Sequence, residues 1–446
     1  MIAKAINTPE KIRVLQIKLY RSAKANPNRL FGALYDKMYR KDILYEAWRR
    51  VRSNRGAAGV DRQSIEDIEE RVGVGNLLNE IAEQLKSKKY RPQPVMRVYI
   101  PKSDGKQRPL GIPTVKDRIV QTAMKLVIEP IFEAKFKNFS YGFRPKRSCK
   151  QAVLEIRKYI NFGCRKIIDA DIKGYFDSID QDKLLKSVKT SISDNSIIKL
   201  IELWLKCGVM EDLKLKKQLT GTPQGGVISP LLANIYLHWL DNFWEKAGLS
   251  NRGSGDAHLV RYADDFVILC KNNPEKYLES AKCILDKLGL ELHKDKTKVV
   301  DLDKDESFDF LGFTFRYHYN RTKKMNRKRS VYYYPSAKSI KSIKTKLRDV
   351  ISSSQHLNLT DLCQQRLNPI LRGWSNYFIH ANSKRKLDNV DNYCIKTLCI
   401  MLKKKHAKRG KGWRDHPPSF FYDSTHRLYY MTRAFVNHKR ITGSYV

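Results

Sequence analysis

Long apolar runs are missing from this chain. None of its 446 residues opens a stretch near the roughly 18 consecutive apolar positions that a membrane helix takes. Charges recur throughout positions 1–24, so the core of a secretory signal is missing too. A soluble, cytoplasmic protein with no membrane partner is expected. Cysteine is sparse: eight residues at 149, 164, 207, 270, 283, 363, 394 and 399, with no CxxC pair. Reduced thiols fit that pattern better than disulfides. Cys394, Cys399 and His406 lack a second cysteine pair and the spacing of a zinc site. With only 16 Pro and 23 Gly, and with no internal repeat, disordered, fibrous and solenoid classes drop out. Glutamate is absent from 321–446.

What is abundant is positive charge. Lys and Arg number 86 against 46 Asp and Glu, a formal net charge of +40. That excess calls for a polyanionic partner, nucleic acid first. It is uneven: positions 321–446 hold 28 Lys and Arg against 6 Asp, so +22 of the +40 sits there.

Hydrophobic periodicity predicts two amphipathic helices over 9–52, broken at Asn26-Pro27-Asn28. A strand–turn–strand unit follows over Val95–Ile112, then a helix over Asp117–Phe136. Strands are expected at Lys166–Asp171, Leu259–Ala263, Phe266–Cys270 and Phe308–Phe315, and helical periodicity takes over after Tyr334-Pro335. Strands and helices alternate without a βαβ glycine fingerprint, so the expected class is α+β.

The sharpest feature is "RYADDFVILC" at 261–270, two aspartates between apolar strands. Asp264 and Asp265 at a hairpin tip repel each other unless a cation neutralises them, which suits a hard divalent ion. An isolated Asp-Asp is more often an acidic turn. Upstream, "IIDADIKGYFDSID" ends a second apolar strand at Asp171, ahead of a helix expected to start near Ser178. Two-metal phosphoryl transfer needs carboxylates from separate elements. Strand alternation leaves Asp169 on the same face as Asp171, and Asp177 lies close by, so spacing alone does not choose among them.

The ordered blocks "RPLGIP" at 108–113, "SYGFRPKRSCKQAV" at 140–153, "DADIKGYFDSI" at 169–179, "GTPQGGVISPLLANIYLHWLD" at 221–241, "RYADD" at 261–265 and "DFLGF" at 309–313 resemble group II intron reverse transcriptases. The likeness extends upstream through Arg55–Asp61 and downstream through "LNPILRGWSNYF" at 367–378, which is similar to their maturase region. It implies a right-hand polymerase, fingers and palm with an antiparallel sheet, followed by an all-helical basic thumb. The implied division is an N-terminal extension with the first fingers motif over 1–70, fingers over 71–165, palm over 166–318, linker over 319–335 and thumb over 336–446.

By the same resemblance Asp171, Asp264 and Asp265 are the catalytic and metal-binding carboxylates, with the backbone of Ile172, for two Mg²⁺ that Mn²⁺ could replace. Lys102, Arg108, Phe176, Gln224 and Lys296 fall where the family binds the nucleotide. Phe176 is the aromatic that excludes a 2′-hydroxyl, although on its own it reads as a core residue. Leu311 and Gly312 match the primer grip. The implied partners are structured intron RNA, an RNA template with a DNA primer, dNTPs and target DNA. The 46 residues after position 400 contain no cysteine, so no nuclease activity of the paired-cysteine type is expected.

The basic tail interleaves Arg372, Lys384, Arg385, Lys386, Lys403, Lys404, Lys405, Lys408 and Arg409 with aromatics. Phosphate contacts need such cations. Trp374, Tyr377 and Phe378, at helical spacing, are expected in the core. The leading expectation is an RNA-directed DNA polymerase that also binds intron RNA to promote splicing and retrotransposition. A splicing-only maturase and a relative serving CRISPR-linked or antiphage defence are the alternatives.

Overall fold

The computed structural model describes residues 10–101, 105, 107–211, 214–216, 225–249, 256–319, 329–405 and 416–442. Helix and strand are mixed, and the chain falls into two compact units. One comprises the described residues of 1–152 and 170–298, the other those of 153–169 and 299–446. Among the described residues no helix is long and apolar enough to cross a membrane.

The first unit opens with α1 (Glu10–Ala25) and α2 (Lys41–Ser53), both packed on a longer helix further along. The break at Asn26-Pro27-Asn28 follows α1, as the sequence predicts. After α3 (Val74–Lys86), the strands β1 (Val95–Pro101) and β2 (Gln107–Ile112) pair antiparallel, with Ile100 opposite Arg108. That central helix is α4 (Val115–Glu133). Thr114 caps it by accepting a 3.0 Å bond from the Asp117 amide, and apolar side chains from Val115 to Phe132 bury it nearly all round. A helix apolar on every face belongs inside a protein, and the two amphipathic helices cover it.

After α5 (Cys149–Asn161) and β3 (Lys166–Ala170), the chain forms α6 (Gln181–Lys189) and α7 (Asn195–Lys206). The helix expected to start near Ser178 is two elements: a single turn over Tyr175–Ser178, then α6 capped by Asp180, which accepts from the Lys183 amide at 2.9 Å. Two short strands escape detection in the sequence: β4 (Val209–Glu211), parallel to β1, and β5 (Lys214–Lys216). Three residues carry too little periodicity to register. The sheet that includes β1 and β2 is therefore mixed rather than purely antiparallel. Helix α8 (Ser229–Lys246) leads to β6 (Ala257–Tyr262) and β7 (Asp265–Cys270), an antiparallel hairpin, and α9 (Pro274–Leu288) follows.

The second unit has an antiparallel three-stranded sheet of β8 (Ser307–Phe310), β9 (Phe313–Tyr319) and β10 (Arg329–Pro335). The strand expected over Phe308–Phe315 is split by a turn at Leu311-Gly312, both with positive φ. Residues 329–335, expected as linker, form a strand paired to β9. Three consecutive tyrosines, Tyr332 to Tyr334, hide its period-2 pattern. Helices α10 (Ala337–Ser353), α11 (Asn368–Phe378), α12 (Lys384–Lys405) and α13 (Met431–Thr442) enclose a core that includes Leu347, Leu371, Leu387, Leu398, Phe421 and Met431. Asp391 of α12 ties α13 down. Its carboxylate accepts from the amides of Met431 and Thr432 and from the Thr432 hydroxyl, at 3.2, 2.9 and 2.7 Å.

Candidate active site

Strand β6 meets β7 through Ala263 and Asp264, with Tyr262 directly opposite Asp265. Ala263 takes a φ of 59°, a left-handed conformation that disfavours residues with a side chain. The flanking segments Leu259–Arg261 and Phe266–Cys270 are buried. The aspartates thus ride on a strained two-residue turn anchored in the core.

Beneath the turn lies a buried polar network. Arg261 donates to both carboxylate oxygens of Asp241, at 2.9 and 2.5 Å, to Oδ1 of Asn234 at 3.0 Å, and to the Ala263 carbonyl at 2.9 Å. Arg261 and Asp241 are both wholly buried. Burial alone raises the Asp241 carboxyl pKa, but the Arg261 charge and hydrogen bonds from His238 and Arg261 hold it below the ordinary value. Asn234 donates to the Gly142 carbonyl at 2.8 Å, and a side chain at Gly142 would collide with the Ala263 amide. The Arg261 amide donates to Phe139 O at 2.9 Å and the Tyr141 amide to Arg261 O at 2.8 Å, so "SYGF" lies along β6.

Asp171 comes from the end of β3, within the same unit. The His293 amide donates to its carbonyl at 2.8 Å, and the Lys173 amide donates to Glu291 O at 2.9 Å. These bonds flank the bridge between Ile172 and Leu292 and leave the Ile172 carbonyl outside them. Lys296, from the turn that follows, donates from Nζ to Asp171 Oδ2 at 2.8 Å.

Electrostatics tie the three carboxylates together. Asp264 is raised above its ordinary pKa by burial and then by the charge of Asp171. Asp265 is pushed up to about 6 by loss of hydration, then by Asp264 and Asp171, with Arg108 and Lys296 pulling the other way. The Asp265 residue as a whole is open to solvent, so crowding of its carboxyl, not full burial, strips that hydration. Repelling carboxylates at raised pKa are the donor set of a hard cation. Among the described residues, no three His, Cys, Asp or Glu side chains stand close enough together to form a metal-ligand set. The fit is thus in donor chemistry and shared field.

Of the other residues expected at the site, Arg108 is exposed on β2 and its charge reaches both Asp264 and Asp265. Phe176 is half-buried, its ring edge-on to the buried Tyr175 at 5.4 Å, and Tyr175 donates to Ala233 O at 2.6 Å. Asp177 is exposed. Lys102, Gln224, Lys408 and Arg409 lie outside the described residues. Sequence patterns do not single out Arg261, Asp241, Asn234 or Gly142. One signal is there: an arginine directly after the apolar Leu259-Val260 in the strand "HLVRY".

Within the second unit, Leu311 and Gly312 form the turn between β8 and β9. Tyr377 donates to Leu311 O at 2.9 Å, and the Ser336 amide and Ser339 hydroxyl donate to Gly312 O at 2.9 and 3.0 Å. Phe378 is buried and Trp374 partly so, as expected of a core. Tyr377 is 40% exposed, because its hydroxyl reaches that turn rather than the core. Lys384, Arg385 and Lys404 are exposed, and Lys403 is half-buried. Arg372 lies over Tyr429 and Lys386 over Tyr334. Lys405 donates to the carbonyls of Gln355 and Leu357, both at 3.2 Å, and so serves the loop after α10.

Residues 100–315 match the reverse transcriptase (RNA-dependent DNA polymerase) family, and residues 340–417 match the maturase-specific domain of group II introns. The chain is 40% identical over 229 residues to the group II intron-encoded protein LtrA of Lactococcus lactis subsp. cremoris, covering 51% of this chain and 37% of LtrA. It is 35% identical over 337 residues to protein YkfC of Escherichia coli K12, covering 68% of this chain and 87% of that protein. With a 91 kDa protein in the cob intron of Schizosaccharomyces pombe it shares 28% identity over 440 residues, 83% of this chain and 53% of that one. The match thus spans little more than a third of LtrA and nearly all of YkfC.

Proposed function

This chain belongs to the group II intron reverse transcriptase and maturase family, and from that premise we propose that it copies RNA into DNA and binds its own intron RNA to assist splicing and mobility. One observation carries the reading: Asp171, Asp264 and Asp265 gather in one unit, each of the last two raised by its acidic neighbours, with Arg108 and Lys296 as the nearby cations. Such a centre suits the phosphates of an incoming nucleotide.

In this reading the fingers span 71–165 and the palm 166–318, and the helices of the second unit over 336–446 are the thumb. Asp171, Asp264 and Asp265, with the Ile172 carbonyl, would hold two Mg²⁺ or Mn²⁺, which when bound would supply a lowered pKa at a 3′-hydroxyl and offset charge on pyrophosphate. The chain's own groups bind and orient. Arg108 and Lys102 clamp the triphosphate, Lys296 neutralises it, and Gln224 borders the nucleotide. Phe176 blocks a 2′-hydroxyl, and Leu311 and Gly312 hold the primer end. Lys384, Arg385 and Lys404 offer exposed charge to structured RNA.

Primer extension on an RNA template with Mg²⁺ tests the proposal. Asp264→Asn is expected to remove nearly all synthesis, because it removes a metal ligand. Synthesis by that variant at the wild-type rate would sink the assignment.

A further inference from the structure

We propose that Arg261 is the positioning residue of the carboxylate turn: by holding the Ala263 carbonyl from below, it presents Asp264 to a divalent cation. The inference rests on the polymerase reading and adds residues that reading does not use.

A wholly buried Arg–Asp pair is weak support for stability, since an apolar pair of similar size does as well or better. Its geometry offers another use. The guanidinium fork places two donors on Asp241 and a third on Asn234, and only the three together fix the plane of the group. The Asn234 amide is itself oriented, because its Nδ2 donates to the Gly142 carbonyl. With the plane set, the remaining bond reaches the Ala263 carbonyl at 2.9 Å.

That carbonyl belongs to the residue that needs holding. An alanine at φ 59° relaxes toward negative φ unless its surroundings prevent it. Gly142 presses against the Ala263 amide on one side, and Arg261 grips the carbonyl on the other. Asp264 is the next residue, so the direction of its carboxylate follows the peptide that Arg261 holds. A lysine at 261 keeps the charge but has no planar fork with which to serve Asp241, Asn234 and Ala263 together.

The test reads cation binding directly. Mn²⁺ affinity of the full chain, without nucleic acid, is measured by electron paramagnetic resonance for wild type and Arg261→Lys, with primer–template binding and thermal unfolding alongside. The expected result is Mn²⁺ binding weakened about 10–100-fold, the usual effect of removing a group that orients metal ligands, with primer–template affinity unchanged. A folded Arg261→Lys that binds Mn²⁺ as wild type does overturns the inference. If Arg261→Lys does not fold, Asn234→Ala, which leaves the ion pair intact but frees the fork, decides: weaker Mn²⁺ binding supports the clamp and unchanged binding overturns it. Lack of primer extension by wild type would defeat the polymerase reading, while the Mn²⁺ comparison still decides the role of Arg261.

Discussion

The ammonium of Lys296 donates to the Asp171 carboxylate at 2.8 Å, joining groups 125 positions apart in sequence. The pair is partly open to water, the two side chains being 58% and 30% exposed. Exposed pairs contribute at most about 1 kcal/mol. Lys296→Ala is therefore expected to leave thermal stability almost unchanged. If Lys296 meets the triphosphate, the same variant raises KM for dNTP more than it lowers kcat. Steady-state kinetics with varied dNTP check this, and an unaltered KM returns Lys296 to a surface role.

Phe176 supplies a second prediction. It is half-buried on a single helical turn beside Tyr175, so trimming it removes steric bulk without opening a deep core cavity. Phe176→Ala is expected to admit ribonucleotides while deoxynucleotide incorporation survives. Single-turnover incorporation of both nucleotide types measures the ratio; a folded variant with wild-type sugar preference would show that Phe176 only packs.

Asp391 makes stability depend on pH. Burial pushes its pKa up to about 6, against the hydrogen bonds from Thr432 and Met431. A carboxyl raised above its unfolded value of 3.8 gives stability that is full below that value and is lost as pH rises through about 6. Replacing it with Asn removes this dependence. The Tm of Asp391→Asn relative to wild type should therefore climb between pH 4 and pH 7. Asp391→Ala, which leaves the amides of Met431 and Thr432 without their acceptor, is expected to cost about 1–3 kcal/mol. Thermal melts of the three proteins across that range check both statements, and parallel curves for wild type and Asp391→Asn would refute the first.

The basic residues of the second unit differ in their surroundings, and so in the RNA affinity expected of them. Lys384, Arg385, Lys404 and Lys405 are all exposed, but the Lys405 ammonium is bound to two backbone carbonyls. Each single-strand phosphate that the protein ceases to neutralise flattens the slope of log affinity against log salt by about 0.7. Alanine at Lys384, Arg385 and Lys404 is expected to flatten the slope for structured intron RNA, while Lys405→Ala lowers Tm and leaves the slope in place. Binding titrations at several salt concentrations decide, and an unchanged slope in the triple variant moves the RNA surface elsewhere.

The amino-acid sequence by itself determined much of this protein. The ordered motifs, the apolar strands around Asp264 and Asp265, the helical periodicity after Pro335 and the charge excess are short-range properties, readable in windows of a few to twenty residues. Most of the strands and helices they announce are present, although the strand expected over Phe308–Phe315 is split at Leu311-Gly312 and the helix expected near Ser178 is two elements. Short strands such as Val209–Glu211 were illegible because three residues carry too little periodicity, and one of their pairing partners lies more than a hundred positions away. The footing of the carboxylate turn was decided only in three dimensions. Arg261 meets Asp241 across 20 positions, and Asn234 meets Gly142 across 92. In sequence Arg261 is one cation among 86; folding removes its water and leaves Asp241, Asn234 and the Ala263 carbonyl as the acceptors of its fork. Desolvation is a property of the packed interior, and no pattern along the chain records which charge it will reach.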